Sequence, residues 1–89
     1  MKGIITVLGR DRVGIMARVC TFLADARINI LDISQTILQG YFSMVMIVDL
    51  SGVTLAFEQV ADGLASIGED LGLQIKLQRE EIFNSMHRI

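Results

Sequence analysis

Residues 41–50 read YFSMVMIVDL, and both of the alternating sets in that run carry large apolar residues. Successive side chains of a strand point to opposite faces. Phe42, Met44, Met46, Val48 and Leu50 on one side, and Tyr41, Val45 and Ile47 on the other, therefore all ask for cover. A chain of 89 residues forms one domain, and a domain of that size hides only about 60–65% of the surface its unfolded form exposes. Yet 52% of the residues are hydrophobic, with a mean hydropathy of +0.52, more apolar material than a small monomer needs inside. The surplus is expected to face a second copy.

The rest of the chain supplies elements around that strand. The run KGIITVL is short and rich in β-branched residues, which predicts a first strand over Lys2 to Leu8. Ile15, Met16, Val19, Cys20, Leu23 and Ala26 recur at three- and four-residue spacing, the mark of an amphipathic helix. That helix is expected to stop near Arg27, whose cation suits the negative end of the helix dipole. INILDISQTIL reads as a second strand, joined to the third by a tight hairpin at Gln39-Gly40. A second helix follows a Thr54 cap, with Phe57, Val60, Ala61, Leu64, Ile67 and Leu71 in one stripe and Gly72 placed to end it. Gly63 and Gly68 inside it each cost about 1 kcal/mol against alanine, which points to close helix-to-sheet packing. Leu73, Ile75 and Leu77 then alternate with Gln74, Lys76 and Gln78, a one-sided edge strand.

Strand, helix, strand, strand, helix, strand is the split βαβ or ferredoxin-like order. The expected fold is α+β: a four-stranded antiparallel sheet with two helices on one face, over residues 1–79, and a short helical C-terminal tail over 80–89. The tail carries Ile82, Phe83, Met86 and Ile89 at helical spacing, but it is shorter than the roughly 12–15 residues at which an isolated helix is even marginal in water. If helical, it must dock on something; packing within the dimer is the ordinary outcome, and a partner contact or a lid is the functional one.

Composition removes several function classes. Net charge is -2, so no basic field exists to attract a nucleic-acid backbone or an anionic membrane. The single cysteine, Cys20, builds neither a disulfide framework nor a CxxC metal site. No apolar run spans a bilayer, and Met1 leads into a strand rather than a basic leader. A reducing cytoplasm is the expected location, and no cofactor is expected. Ser34, Ser43 and Ser51 have no histidine nearby, the only one being His87 in the tail, so a nucleophile and base pair is not expected.

The chemistry gathers at GRDRVGI, residues 9–15, where the first strand turns into the first helix. Gly9 and Gly14 permit tight backbone geometry. The first helical amides there have no intrahelical partner and suit an anion such as a carboxylate. Arg10 and Arg12 add cations, and Asp11 adds an acceptor for an ammonium group. Together they suit a zwitterion, that is, a free amino acid. The bland reading is that Asp11 caps the helix, that the arginines are solvated, and that Asn29 is a turn residue in a left-handed conformation.

GRDRVGI followed by ARINILDISQ resembles the ACT domain, a small regulatory module, over roughly Lys2 to Arg79. The resemblance implies that the corner Gly9, Arg10, Asp11, Arg12, Val13, Gly14 and Ile15 binds an effector amino acid or related small molecule. It implies that Gly14 allows close approach, that Asp11 faces the pocket, and that Asn29 and Ile30 reach it from the second strand of the same or a paired subunit. Many family members carry Asn at the position of Asp11 and Pro at that of Val13. ACT domains commonly dimerise by joining sheets or stacking faces, so a homodimer or higher oligomer, with output through a separate protein partner, is expected. The chain is similar to small free-standing ACT proteins of unassigned function. The expected activity is regulatory binding and not catalysis. A ligand-free interaction module is the rival reading. An acylphosphatase-like hydrolase fits less well, because Asp11 would repel a phosphate, and the RRM topology fails for want of aromatics on the first strand.

Overall fold

The computed structural model describes residues 1–80; residues 81–89, which carry the expected helical tail, lie outside the described residues. The elements are β1 (Lys2–Arg10), α1 (Ile15–Asp25), β2 (Asn29–Leu38), β3 (Tyr41–Asp49), α2 (Phe57–Leu71) and β4 (Leu73–Arg79). The sheet order is β2-β3-β1-β4, with every neighbouring pair antiparallel. This is the expected βαββαβ arrangement. β1 runs two residues beyond Leu8, because Gly9 and Arg10 still pair with Phe42 and Tyr41.

Pairing decides which face each side chain takes. Ile5 opposes Met46, and Val7 opposes Met44 and Ile75. These residues, with Phe42, Val48 and Leu73, are buried against Val19 and Leu23 of α1 and Val60, Leu64 and Ile67 of α2. The set Phe42, Met44, Met46 and Val48 thus meets the helices. On the opposite face Tyr41, Val45 and Ile47 share the surface with Ile4, Thr6 and Leu8. β2 overhangs the helix layer, so Ile33 and Ile37 stay exposed although they oppose the buried Met46 and Phe42. A bulge between Ile30 and Asp32 shifts its register.

The turns match their sequence chemistry in most places. Gln39 and Gly40 both have positive φ, 52° and 82°, the geometry of a type I′ hairpin that matches strand twist. Gly72 ends α2 at φ 71°. α1 ends at Asp25 with Ala26 as its C-cap, and Arg27 takes the left-handed conformation at φ 61°. Ile28 N–H donates to the Leu23 carbonyl and Arg27 N–H to that of Ala24, the paired bonds of a Schellman ending.

Two readings need correction. Ala56, not Thr54, is the N-cap of α2; Gln59 Oε1 reaches back to accept from the Ala56 N–H at 2.9 Å, so a side chain from inside the helix satisfies the end. Gly63 serves helix-to-helix contact, since a Cβ there would lie 2.4 Å from the Phe22 ring of α1. Gly68 does serve the sheet: its Cβ would lie 2.7 Å from the Leu73 carbonyl oxygen.

These positions generate a graded expectation for urea unfolding. Gly68→Ala meets backbone and is expected to lower stability by about 1–3 kcal/mol. Gly63→Ala meets the end of a half-buried ring that can turn aside, and should cost less. Arg27→Gly removes a left-handed side-chain penalty and is expected to raise stability by about 0.5–1 kcal/mol; a loss in that variant would mean that Arg27 makes a compensating contact.

Candidate functional site

The corner between β1 and α1 is held by three separate bonds from its own residues. Arg10 stacks its guanidinium 5.2 Å from the centroid of the Tyr41 ring across the β1–β3 pair. The Asp11 backbone N–H donates to the Gly40 carbonyl at 2.8 Å, which stitches the corner to the hairpin tip. Arg12 Nη1 donates to the Leu71 carbonyl at 3.2 Å, so its cation sits at the C-terminal end of α2 where the dipole favours it. A further pair, Arg18 to Asp70 at 3.1 Å, links α1 to the same end of α2. Both its side chains are largely solvated, so it contributes little.

Gly14 is the N-cap of α1, at φ 94° and ψ -1°, and no side chain caps the helix. A Cβ at Gly14 would meet nothing within 4 Å, so the backbone angle, and not crowding, calls for glycine here. The Asp11 carboxylate is therefore not the helix cap, and the arginines are not merely solvated. Val13 is 99% exposed. Two of the expected site residues face inward instead. The Ile15 side chain is in the core, and a Cβ on Gly9 would lie 2.6 Å from Leu73, so Gly9 allows β1 and β4 to approach.

Asn29 sits elsewhere. It is the first residue of β2, in extended structure rather than the left-handed turn, which Arg27 occupies. Asn29 opposes Asp49, which opposes Lys2 at the start of β1, whereas the corner follows Arg10 at the other end. Eight strand residues separate the two ends, roughly 27 Å, so one chain does not bring Asn29 to the corner. Ile30, half-buried, opposes Val48 on the helix side. Beside Asn29, Asp49 Oδ1 accepts from the Ser51 N–H at 3.0 Å and from its hydroxyl at 2.7 Å. These bonds hold the Asp49 carboxyl below its ordinary range. Their stabilisation is present above the ordinary carboxylate pKa and is lost as pH falls through the lowered one.

Sequence reasoning missed the ties from Arg12 to α2 and from Asp11 to the hairpin, because each joins residues far apart in the chain. A groove of about 410 Å³ between α1 and α2, lined by Ala17, Arg18, Thr21, Phe22, Asp25 and Ile67, contains none of the corner residues. Among the described residues no group of three or more His, Cys, Asp or Glu side chains is placed to hold a metal ion, and no helix is long and apolar enough to cross a membrane.

Comparison with known proteins identifies the fold and family. Residues 3–78 match the model of the ACT domain. A UPF0237 protein of Bifidobacterium longum is 54% identical over 99% of this chain and 98% of its own length. The structure of an ACT domain protein from Streptococcus pneumoniae superposes with a TM-score of 0.80 at 39% identity, covering 98% of each chain. The regulatory subunit of aspartate kinase from Thermus thermophilus shares the fold, with a TM-score of 0.66 at 22% identity over 86% of this chain and 50% of that one. The chain belongs to the ACT domain family, a family of regulatory ligand-binding domains.

Proposed function

We propose that the protein is a non-catalytic regulatory homodimer that binds an amino acid or a closely related small molecule and signals to a separate protein. The observation that carries this reading is the uncapped start of α1. Gly14 leaves the first-turn amides without a side-chain acceptor, and Asp11 stands beside them as a carboxylate that does not fill that role. The amides suit the carboxylate of the ligand, and Asp11 suits its ammonium group.

The separation of Asn29 from the corner supports a site shared by two chains. β2 is an edge strand with Leu31, Ile33, Ile37 and Leu38 exposed, an edge of the kind that pairs with another chain. If two copies join β2 antiparallel about a two-fold axis near Ile33 and Ser34, Asn29 of one copy falls beside Leu38 of the other. Leu38 lies two strands from Arg10 through Tyr41, so the other copy's second strand is three spacings from Arg10, about 14 Å. Each copy then supplies the second-strand residues to the other's corner. Cytoplasmic action fits this role.

The first test is thermal denaturation across a panel of free amino acids. A ligand at 100 times its Kd stabilises the fold by about 2.7 kcal/mol, which raises Tm by several degrees in a domain this small. No shift at millimolar concentration would favour a ligand-free interaction module. The second test concerns sharing. Asp11→Ala and Asn29→Ala are each expected to bind at least tenfold more weakly. Mixing the two unfolded variants and refolding them together should restore tight binding in the mixed dimers, at one site per dimer. No recovery on mixing would refute a site shared between two chains in this way.

A further inference from the structure

The two helices leave a trough between them. Phe22 of α1 leans over Gly63 of α2, where a Cβ would lie 2.4 Å from its ring, and the Arg18–Asp70 pair bridges the helices nearer the end of α2. Between these two contacts Ala17 and Thr21 are small and Ile67 forms the floor, so the groove of about 410 Å³ opens there. A smaller hollow of about 120 Å³ continues it past Phe22 and Asp25 to Thr54 and Leu55. From Ala17 to Asp25 the trough follows α1 for about 12 Å. That length holds three apolar anchors of a docked helix at i, i+3 or i+4, and i+7, which span about 10.5 Å.

Charge says what kind of helix fits. α1 and α2 carry Asp25, Glu58, Asp62, Glu69 and Asp70 against one cation, Arg18, and Arg18 is already paired with Asp70. The strands have the opposite balance, with Lys2, Arg10, Lys76 and Arg79 against Asp32 and Asp49. A two-fold pairing of helix layers would set an acidic face against itself, and like charges in an interface are costly. Stacking the sheet of one copy on the helices of the next is a heterologous contact, which closes only as a ring or runs on as a filament. Joining β2 edges antiparallel leaves both helix layers on one side of the continuous sheet, with each trough open. The complement of an acidic trough with an apolar floor is a basic, apolar-faced segment of a different protein.

We infer that the trough between α1 and α2 is the docking surface for a basic amphipathic helix of another protein. Its apolar residues sit on Ala17, Thr21, Phe22 and Ile67, and its Lys or Arg side chains lie beside Asp25 and the acids of α2. This rests on the reading that the protein signals to a separate protein, and does not depend on which ligand the corner takes.

Two synthetic helices test it, each of about 15 residues, with Leu at i, i+3, i+4 and i+7 and either Lys or Glu between them, titrated into the isotope-labelled full chain. The Lys helix is expected to shift the amide signals of Ala17, Thr21, Phe22 and Ile67 first and most, and the Glu helix to bind at least tenfold more weakly. Ala17→Glu separates a shaped seat from diffuse attraction. It adds a carboxylate but fills the trough, and an acid in the first turn of α1 suits the helix dipole, so the fold is kept while affinity for the Lys helix should fall at least tenfold. Tighter binding in that variant refutes the inference. Preference for the Glu helix, or shifts centred on β2 or the hairpin tip, refute it too, and leave a separate partner seated on another surface. Shifts at Ala17 and Phe22 that grow with protein concentration without any peptide put a second copy in the trough and overturn it. No binding of either helix at millimolar concentration overturns the docking surface alone, since melting shifts with amino acids report the sensor separately.

Discussion

A two-layer sandwich covers one side of its sheet, and this chain carries apolar residues on both. Ile5, Val7, Met44 and Met46 are buried beneath α1 and α2, while Ile4, Val45 and Ile47 occupy the opposite side of the same two strands. That mismatch governs the rest of the molecule. Helices add apolar cover only where connections place them, and the two crossovers here, from β1 to β2 and from β3 to β4, both return on the same side. Right-handed connection of parallel strands forces that outcome. More hydrophobic content in the helices would not cover the other face; another chain segment or another copy has to.

Much of the fold was legible because its signals are local. Short β-branched or apolar runs and, in the fourth strand, alternation marked the sheet, three- and four-residue spacing marked α1 and α2, and Gln39-Gly40 and Gly72 lay where positive φ was required. The misreadings fall where the pattern names a role but not the residue that fills it. Thr54 has good cap chemistry, yet Gln59 from within α2 satisfies the Ala56 amide. Gly63 was read correctly as a close-packing position, but the ring it admits belongs to α1 rather than to the sheet. Sequence spacing states that a face is buried; it does not name what buries it.

The corner was legible as a cluster and not as an arrangement. GRDRVGI places charges at a helix start, but it does not tell which charges are committed to the fold. Arg12 is bonded to the end of α2 and Arg10 lies over Tyr41, so both hold loops together. These contacts join the β1–α1 corner, the β2–β3 hairpin tip and the C-terminal end of α2, with the Gly14 turn and the Asp11 side chain left exposed. Such ties matter for any small ligand, because each group held by a contact before binding has less freedom left to lose.

The register of β1 and β2 carries the last step. In this topology β1 and β2 run in the same direction with β3 between them, so the start of β2 is level with the start of β1, and the corner is at the other end by construction. No side-chain rearrangement brings Asn29 across a whole strand length to Asp11. A site that uses both must span two chains, and an antiparallel joining of like edges is the operation that sets the start of one β2 beside the end of another. Ligand binding and assembly through β2 would then be thermodynamically linked: a ligand touching both chains tightens the dimer, and by reciprocity the dimer tightens the ligand.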